Sequence, residues 1–165
     1  MPRRSILLAA ERQSLLAISD LKDDLIQHYT LSDIDLSLIQ QCRGAHNRLG
    51  FAIQLCYMRH PGLVLASDST PFLPLLQWVA DQLKIPVDAW HLYAQRAETR
   101  REHLLVLQST FGFVPFKTQL HHAVAVQQLQ ALAAQTDKGI VLATALVDLL
   151  RRQHILLPTG RFTPR

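Results

Sequence analysis

Apolar side chains recur along this chain at spacings of three and four residues, and no run alternates as a half-buried strand would. The pattern predicts helices over residues 9–18, 20–29, 32–42, 45–59, 70–84, 88–94, 99–112, 118–135 and 137–154. Local punctuation supports the divisions. Ser32 with Asp35, and Thr99 with Glu102, read as capping boxes at helix starts. Gly44 and Gly112 stand where left-handed cap residues belong. Pro61-Gly62 stops the fourth helix, and Thr70-Pro71 opens the fifth by the cap-then-proline rule. The apolar loop Phe113-Val114-Pro115-Phe116 must be packed down. The fold expected is all-α, in two packed helical subdomains over residues 1–66 and 67–165 with helix-turn-helix-like elements.

The segment 41–62 reads as the turn and second helix of a helix-turn-helix. Leu49, Ala52, Ile53 and Cys56 form one apolar face, and Phe51, Leu55 and Met58 flank it. A narrow polar stripe of Asn47, Gly50 and Gln54 remains. Such a helix suits a DNA groove or the centre of a bundle. Arg43, His46, Asn47 and Arg48 crowd its start, where free N–H groups and the helix dipole favour phosphate. The amides of Asn47 and Gln54 are of the type that pairs with adenine in a major groove. The alternative is a buried helix with a polar first turn.

A second cationic group comprises Arg96, Arg100, Arg101 and Lys117. With a cap at Thr99, Arg100 and Arg101 fall in a first turn, where positive charge opposes the dipole unless an anion relieves it. Neutralisation by Glu98 and Glu102 is the competing explanation. Arg3 and Arg4 fit either a basic arm for a minor groove or a solvated terminus. Arg151, Arg152 and His154 suit the C-terminal end of the last helix on dipole grounds alone.

Composition narrows the classes. The 165 residues are 48% apolar with mean hydropathy +0.08, enough for an ordinary core and too apolar for a disordered chain. No stretch has the ~20 apolar residues of a membrane span. The apolar run at residues 6–10 is broken by Glu11 and Arg12, so no secretory segment is expected and the cytoplasm is the default. Cys42 and Cys56 match neither zinc nor redox spacing and read as buried thiols. Net charge is +4, with arginine far outnumbering lysine, which permits a phosphate partner without demanding one. Of the eight histidines none forms HExxH, and adjacent His121 and His122 point ~100° apart on a helix. No nucleophile elbow, P-loop or dinucleotide turn occurs. The carboxylates Asp20, Asp23, Asp24, Asp33 and Asp35 sit mostly at helix starts, where capping explains them. Catalytic residues, metal, cofactor and small-molecule substrate are therefore all expected to be absent.

Several phrases resemble the N-terminal region of transposases of the Tn-three family, large bacterial enzymes of replicative transposition. They are MPRRSIL at the start, NRLGFAIQLCY from Asn47 with Arg59 and Pro61-Gly62 beyond, and TRREHL from Thr99. TDKGIVLA from Thr136, then Leu150-Arg151-Arg152 and Leu157-Pro158, complete the match. The resemblance implies a helical region that binds double-stranded DNA at the transposon's terminal inverted repeats. It also implies that the catalytic carboxylates belong to a later domain, so that this chain is a non-catalytic module acting at the bacterial nucleoid. On this reading Arg43, His46, Asn47, Arg48 and Gln54 make one contact, with Asn47 and Gln54 reading bases. Arg96, Arg100, Arg101 and Lys117 hold phosphate, and Arg3 and Arg4 add an arm. The rival is a protein-interaction module or truncated regulator that docks onto a full-length transposase, or self-associates. Two departures stand out. Leu8 occupies a position where the family tends to have Ser or Thr, and after Pro158 the chain reads TGRFTPR.

Overall fold

A computed structural model describes residues 7–66 and 69–158. Among these residues the elements run α1 (Ala9–Leu16), α2 (Lys22–Tyr29), α3 (Asp33–Gln40), α4 (Ala45–Arg59), α5 (Leu73–Leu83), α6 (Ala89–Ala94), α7 (Ala97–Phe111), β1 (Val114–Pro115), α8 (Thr118–Ala133), α9 (Gly139–Arg152) and β2 (Ile155–Leu156). The architecture is all-α, and the two short strands form one parallel pair. That pair is invisible to periodicity because two residues are too few to show alternation.

Helix α4 is the axis of the core. Every residue from Leu49 to Met58 is buried, and α3, α5, α6 and α7 pack around it. Gly50 makes the closest of these approaches possible: a Cβ there would sit 2.2 Å from the Tyr93 ring. A mid-helix glycine costs helix stability, and here its missing side chain admits α6. One apolar cluster takes residues from both sides of position 66, among them Leu49, Ile53, Leu75, Val79, Tyr93 and Leu107.

Contacts along α4 and α7 fix their relative direction. Phe51 meets His103 edge-on at 5.2 Å, and the Arg59 guanidinium lies 4.8 Å from the centre of the Phe111 ring. The two contacts are equally spaced on both helices, so α4 and α7 run parallel. Helices α8 and α9 form a hairpin fastened to this core by Arg151, which donates to the carbonyls of Pro61 and Leu15. The amide of Leu157 adds a bond of 2.8 Å to the carbonyl of Gly62.

Helix starts divide into those that follow side-chain caps and those that tertiary contacts move. The box at α3 forms: the Asp35 amide donates to Ser32 Oγ at 3.2 Å, and the Ser32 amide to Asp35 Oδ2 at 3.0 Å. At α1 only half a box is available, yet Leu8 still caps, its amide donating to Glu11 Oε2 at 2.8 Å. Helix α5 begins after Phe72 rather than at Thr70-Pro71, because the Phe72 amide donates to the Tyr57 hydroxyl at 2.8 Å. Helix α7 begins after Arg96, two residues earlier than a start at Thr99, so the second capping box does not form.

Candidate nucleic-acid interface

Because α4 and α7 are parallel and in register, their first turns lie at the same end of the molecule. Gly44 and Arg96, the residues that precede each helix, stand equally far upstream of Phe51 and His103. Each helix has 15 residues, and neither start has a side-chain capping bond. Gly44 reaches its φ of 84°, a conformation that suits glycine, to begin α4 directly from the turn. Tyr93 joins the two starts. Burial pushes its phenol well up, with the Arg100 guanidinium pulling the other way and the Cys42 thiol adding to the rise. Cys42, in the turn before α4, and Arg100, near the start of α7, are thus both within electrostatic reach of one buried ring.

Exposed cations surround this end. Arg43 precedes the start of α4, Arg96 precedes that of α7 and Arg101 follows just beyond the first turn of α7, all three exposed. No acidic residue occupies the first turn of α4, and Glu98 is the only one in that of α7. Unsatisfied N–H groups and two aligned helix dipoles therefore lie at one end of the molecule, with exposed arginines in the sequence around both starts.

Other residues nominated by the sequence are engaged elsewhere. Gln54 is fully buried beside Tyr93 and cannot reach a groove, since the helix turns its polar stripe toward α6. Arg100 is 5% exposed and donates to the carbonyls of Ala94 at 3.2 Å and Ala66 at 3.3 Å. It braces the α6–α7 turn against the loop after α4 instead of meeting solvent phosphate. Its place beyond the first turn also removes the dipole conflict that the sequence suggested. Asn47 donates from Nδ2 to the carbonyl of Arg43 at 2.8 Å, and its Oδ1 is buried, so its amide stiffens the turn and is not offered to a base. Arg48 is half-buried, with Nε bound to the Cys42 carbonyl at 3.1 Å. His46 is half-buried with its ring over Gly44, and its Nε2 is enclosed.

Lys117 is exposed but belongs to another region. It follows β1, beyond the C-terminal end of α7, and that end packs at the finish of α4. A 15-residue helix spans ~22 Å, so Lys117 is remote from the cations at the helix starts. Arg3 and Arg4 lie outside the described residues. The pairing of the two helix starts is not apparent from the sequence pattern. The mid-helix Gly50 is a local signal only of the close approach of α6 to α4.

Other chemistries find less support. Burial raises the Cys56 thiol to about 12, and burial also raises Cys42 against the opposing pull of Arg48, so neither favours a reactive thiolate. Among the described residues no three His, Cys, Asp or Glu side chains gather as a metal site would require. No helix among them is long and apolar enough to cross a membrane.

Comparison with known proteins agrees with the family resemblance. Residues 6–162 match the family described as a domain of unknown function, DUF4158. Over 158 residues, 96% of this chain, it is 63% identical to the transposase for transposon Tn21 of Escherichia coli. It is 47% identical over the same share to the transposase for transposon Tn501 of Pseudomonas aeruginosa. Identity is 30% over 94% of the chain to the transposase for transposon Tn1546 of Enterococcus faecium. In each case the match covers 16% of the relative's length. The chain belongs to the DUF4158 family and corresponds to the N-terminal region of Tn-three family transposases.

Proposed function

We propose that this chain binds double-stranded DNA in a sequence-specific manner at transposon terminal inverted repeats, as a non-catalytic module of a transposase in the bacterial cytoplasm. The observation that carries the reading is the pair of parallel helices, α4 and α7, beginning side by side without side-chain caps and ringed by exposed Arg43, Arg96 and Arg101. Helix N-termini and guanidinium groups both favour phosphate oxygens, and together they fix a protein's register on the duplex. The relatives' activity as transposases makes the ends of a transposon the natural duplex.

In this reading the three arginines hold phosphates of one strand segment, while α4 approaches the duplex by its first turn. Asn47 holds the turn rigid, and Arg100 braces the second helix start from inside. Because α4 is buried along its middle and His46, Asn47 and Arg48 are engaged within the fold, base contacts come from the preceding Gln41–Gly44 segment. The experiment is a fluorescence-anisotropy titration with a duplex carrying the terminal inverted repeat of a relative such as Tn21, and with its scramble, at two salt concentrations. Tighter binding to the repeat, weakening steeply with salt, supports the reading. Equal affinity for both duplexes removes the sequence-specific claim, and no binding to either removes the DNA reading.

A further inference from the structure

Helices α8 and α9 stand apart from the apolar cluster that organises the molecule. Among the described residues, every member of that cluster comes from α2 to α7, a loop or the strand pair. Ala125 of α8 and Leu150 of α9 are buried, yet outside it. The hairpin faces the core across open space. A cavity of about 590 Å³ has His28 and His60 on the core side and Leu129, Leu132, Leu146 and Leu149 on the hairpin side. A second, of about 250 Å³, lies between Leu15 and Val147, and both cavities reach Arg151. Arg151 crosses this gap, donating to the carbonyls of Pro61 at 2.5 Å and Leu15 at 3.0 Å. Apolar walls that do not touch lose their dispersion contacts, so a few polar bonds carry the closure.

Both chain crossings between hairpin and core lie side by side. Strand β1 leads into α8 and β2 follows α9, with Val114 opposite Ile155 and Pro115 opposite Leu156. Phe113 and Leu156 anchor the pair in the core, and the Leu157 amide donates to the Gly62 carbonyl. We propose that the α8–α9 hairpin is a hinged flap, which swings from the core about the β1–β2 pair when the Arg151 latch lets go. A contact without a large apolar centre permits motion of one body on another. Two crossings at one place give that motion an axis, and His154, left-handed at φ 56°, stands in the link between α9 and β2. Helix α1, with no buried residue and α9 as its chief partner, is released by the same swing. The pivot lies at the finish of α4, where Arg59 meets Phe111, so the flap leaves the starts of α4 and α7 in place.

Electron–electron double resonance between spin labels tests this in the full chain, with Cys42→Ala and Cys56→Ala removing the native thiols. Labels at Gln77→Cys on α5 and Gln127→Cys on α8, both exposed, report the flap against the core. Labels at Gln127→Cys and Val141→Cys report the hairpin itself. Arg151→Met removes the charge-assisted bonds and should raise the share of a second, longer flap-to-core distance about tenfold, or until it dominates. The distance within the hairpin should stay single and unchanged. One flap-to-core distance, the same with and without Arg151→Met, overturns the proposal. So does a hairpin distance that broadens in step with the flap-to-core one, since the helices then melt instead of swinging.

Discussion

Asp35 is 2% exposed and meets both terminal nitrogens of Arg59, at 2.7 and 2.8 Å, while Ser32 and Asp35 also close the α3 capping box. Burial alone raises that carboxyl, but the guanidinium and the Ser32 bonds outweigh it and hold the carboxyl below its usual range. A carboxyl lowered on folding contributes stability above its unfolded value and loses it as pH falls through its folded one. Asp35→Asn should therefore cost about 2–4 kcal/mol near neutral pH, with the difference from the unaltered chain shrinking in acid. Denaturant melts across pH check this. At Gln54 the same burial leads to a different expectation. Gln54→Leu should leave DNA affinity unchanged and fold at least as well, whereas Gln54→Lys should destabilise by several kcal/mol through a buried unpaired charge. A loss of sequence preference in Gln54→Leu would contradict its assignment to the core. The place of Gln54 is not legible in the sequence because amide side chains serve equally at a groove and in a core, and periodicity along one helix does not reveal what covers its polar stripe.

At the scale of elements, contacts between helices decide what local propensity leaves open. The cap at Ser32 is legible because all its parts lie within four residues. The α5 start is not, because the Tyr57 hydroxyl that receives the Phe72 amide comes from a different helix. The Gly50–Tyr93 contact is of the same kind. Gly50→Ala forces a Cβ into the ring and should destabilise by roughly 1–3 kcal/mol, with partial recovery in Gly50→Ala/Tyr93→Leu. Thermal melts of the single and double variants test it, and a neutral Gly50→Ala would refute the close packing of α6 on α4. The α8–α9 hairpin has its own fastening beside His60, whose ring stacks on His28 at 4.2 Å. Burial, the Arg151 guanidinium and His28 lower His60 to about 4. A histidine lowered on folding contributes stability above its ordinary value near 6.5 and loses it as pH falls toward 4. Amide protection factors in α9, taken relative to the intrinsic exchange rate at each pH, should therefore fall in this window ahead of those in α4. Equal protection of both helices down to pH 4 would contradict it.

Across the whole molecule, the all-α architecture and the helix order are legible from apolar spacing, and the family from its phrases. The arrangement of the helices is not. One apolar cluster spans both sides of residue 66, drawing α5, α6 and α7 onto α4. That packing brings the starts of α4 and α7, with exposed Arg43 and Arg96 beside them, to the same end of the molecule, takes Arg100 inward, and leaves Lys117 far away. The most direct test replaces Arg43, Arg96 and Arg101 together with alanine, and follows repeat-duplex affinity against salt concentration. These side chains are exposed, so the variant should fold with near-normal stability. If they hold phosphates, affinity should fall and the slope of log affinity against log salt should become shallower by ~0.9 for each phosphate that is no longer neutralised. Unchanged affinity and slope in a folded triple variant would contradict the assignment of the DNA contact to this end of the molecule.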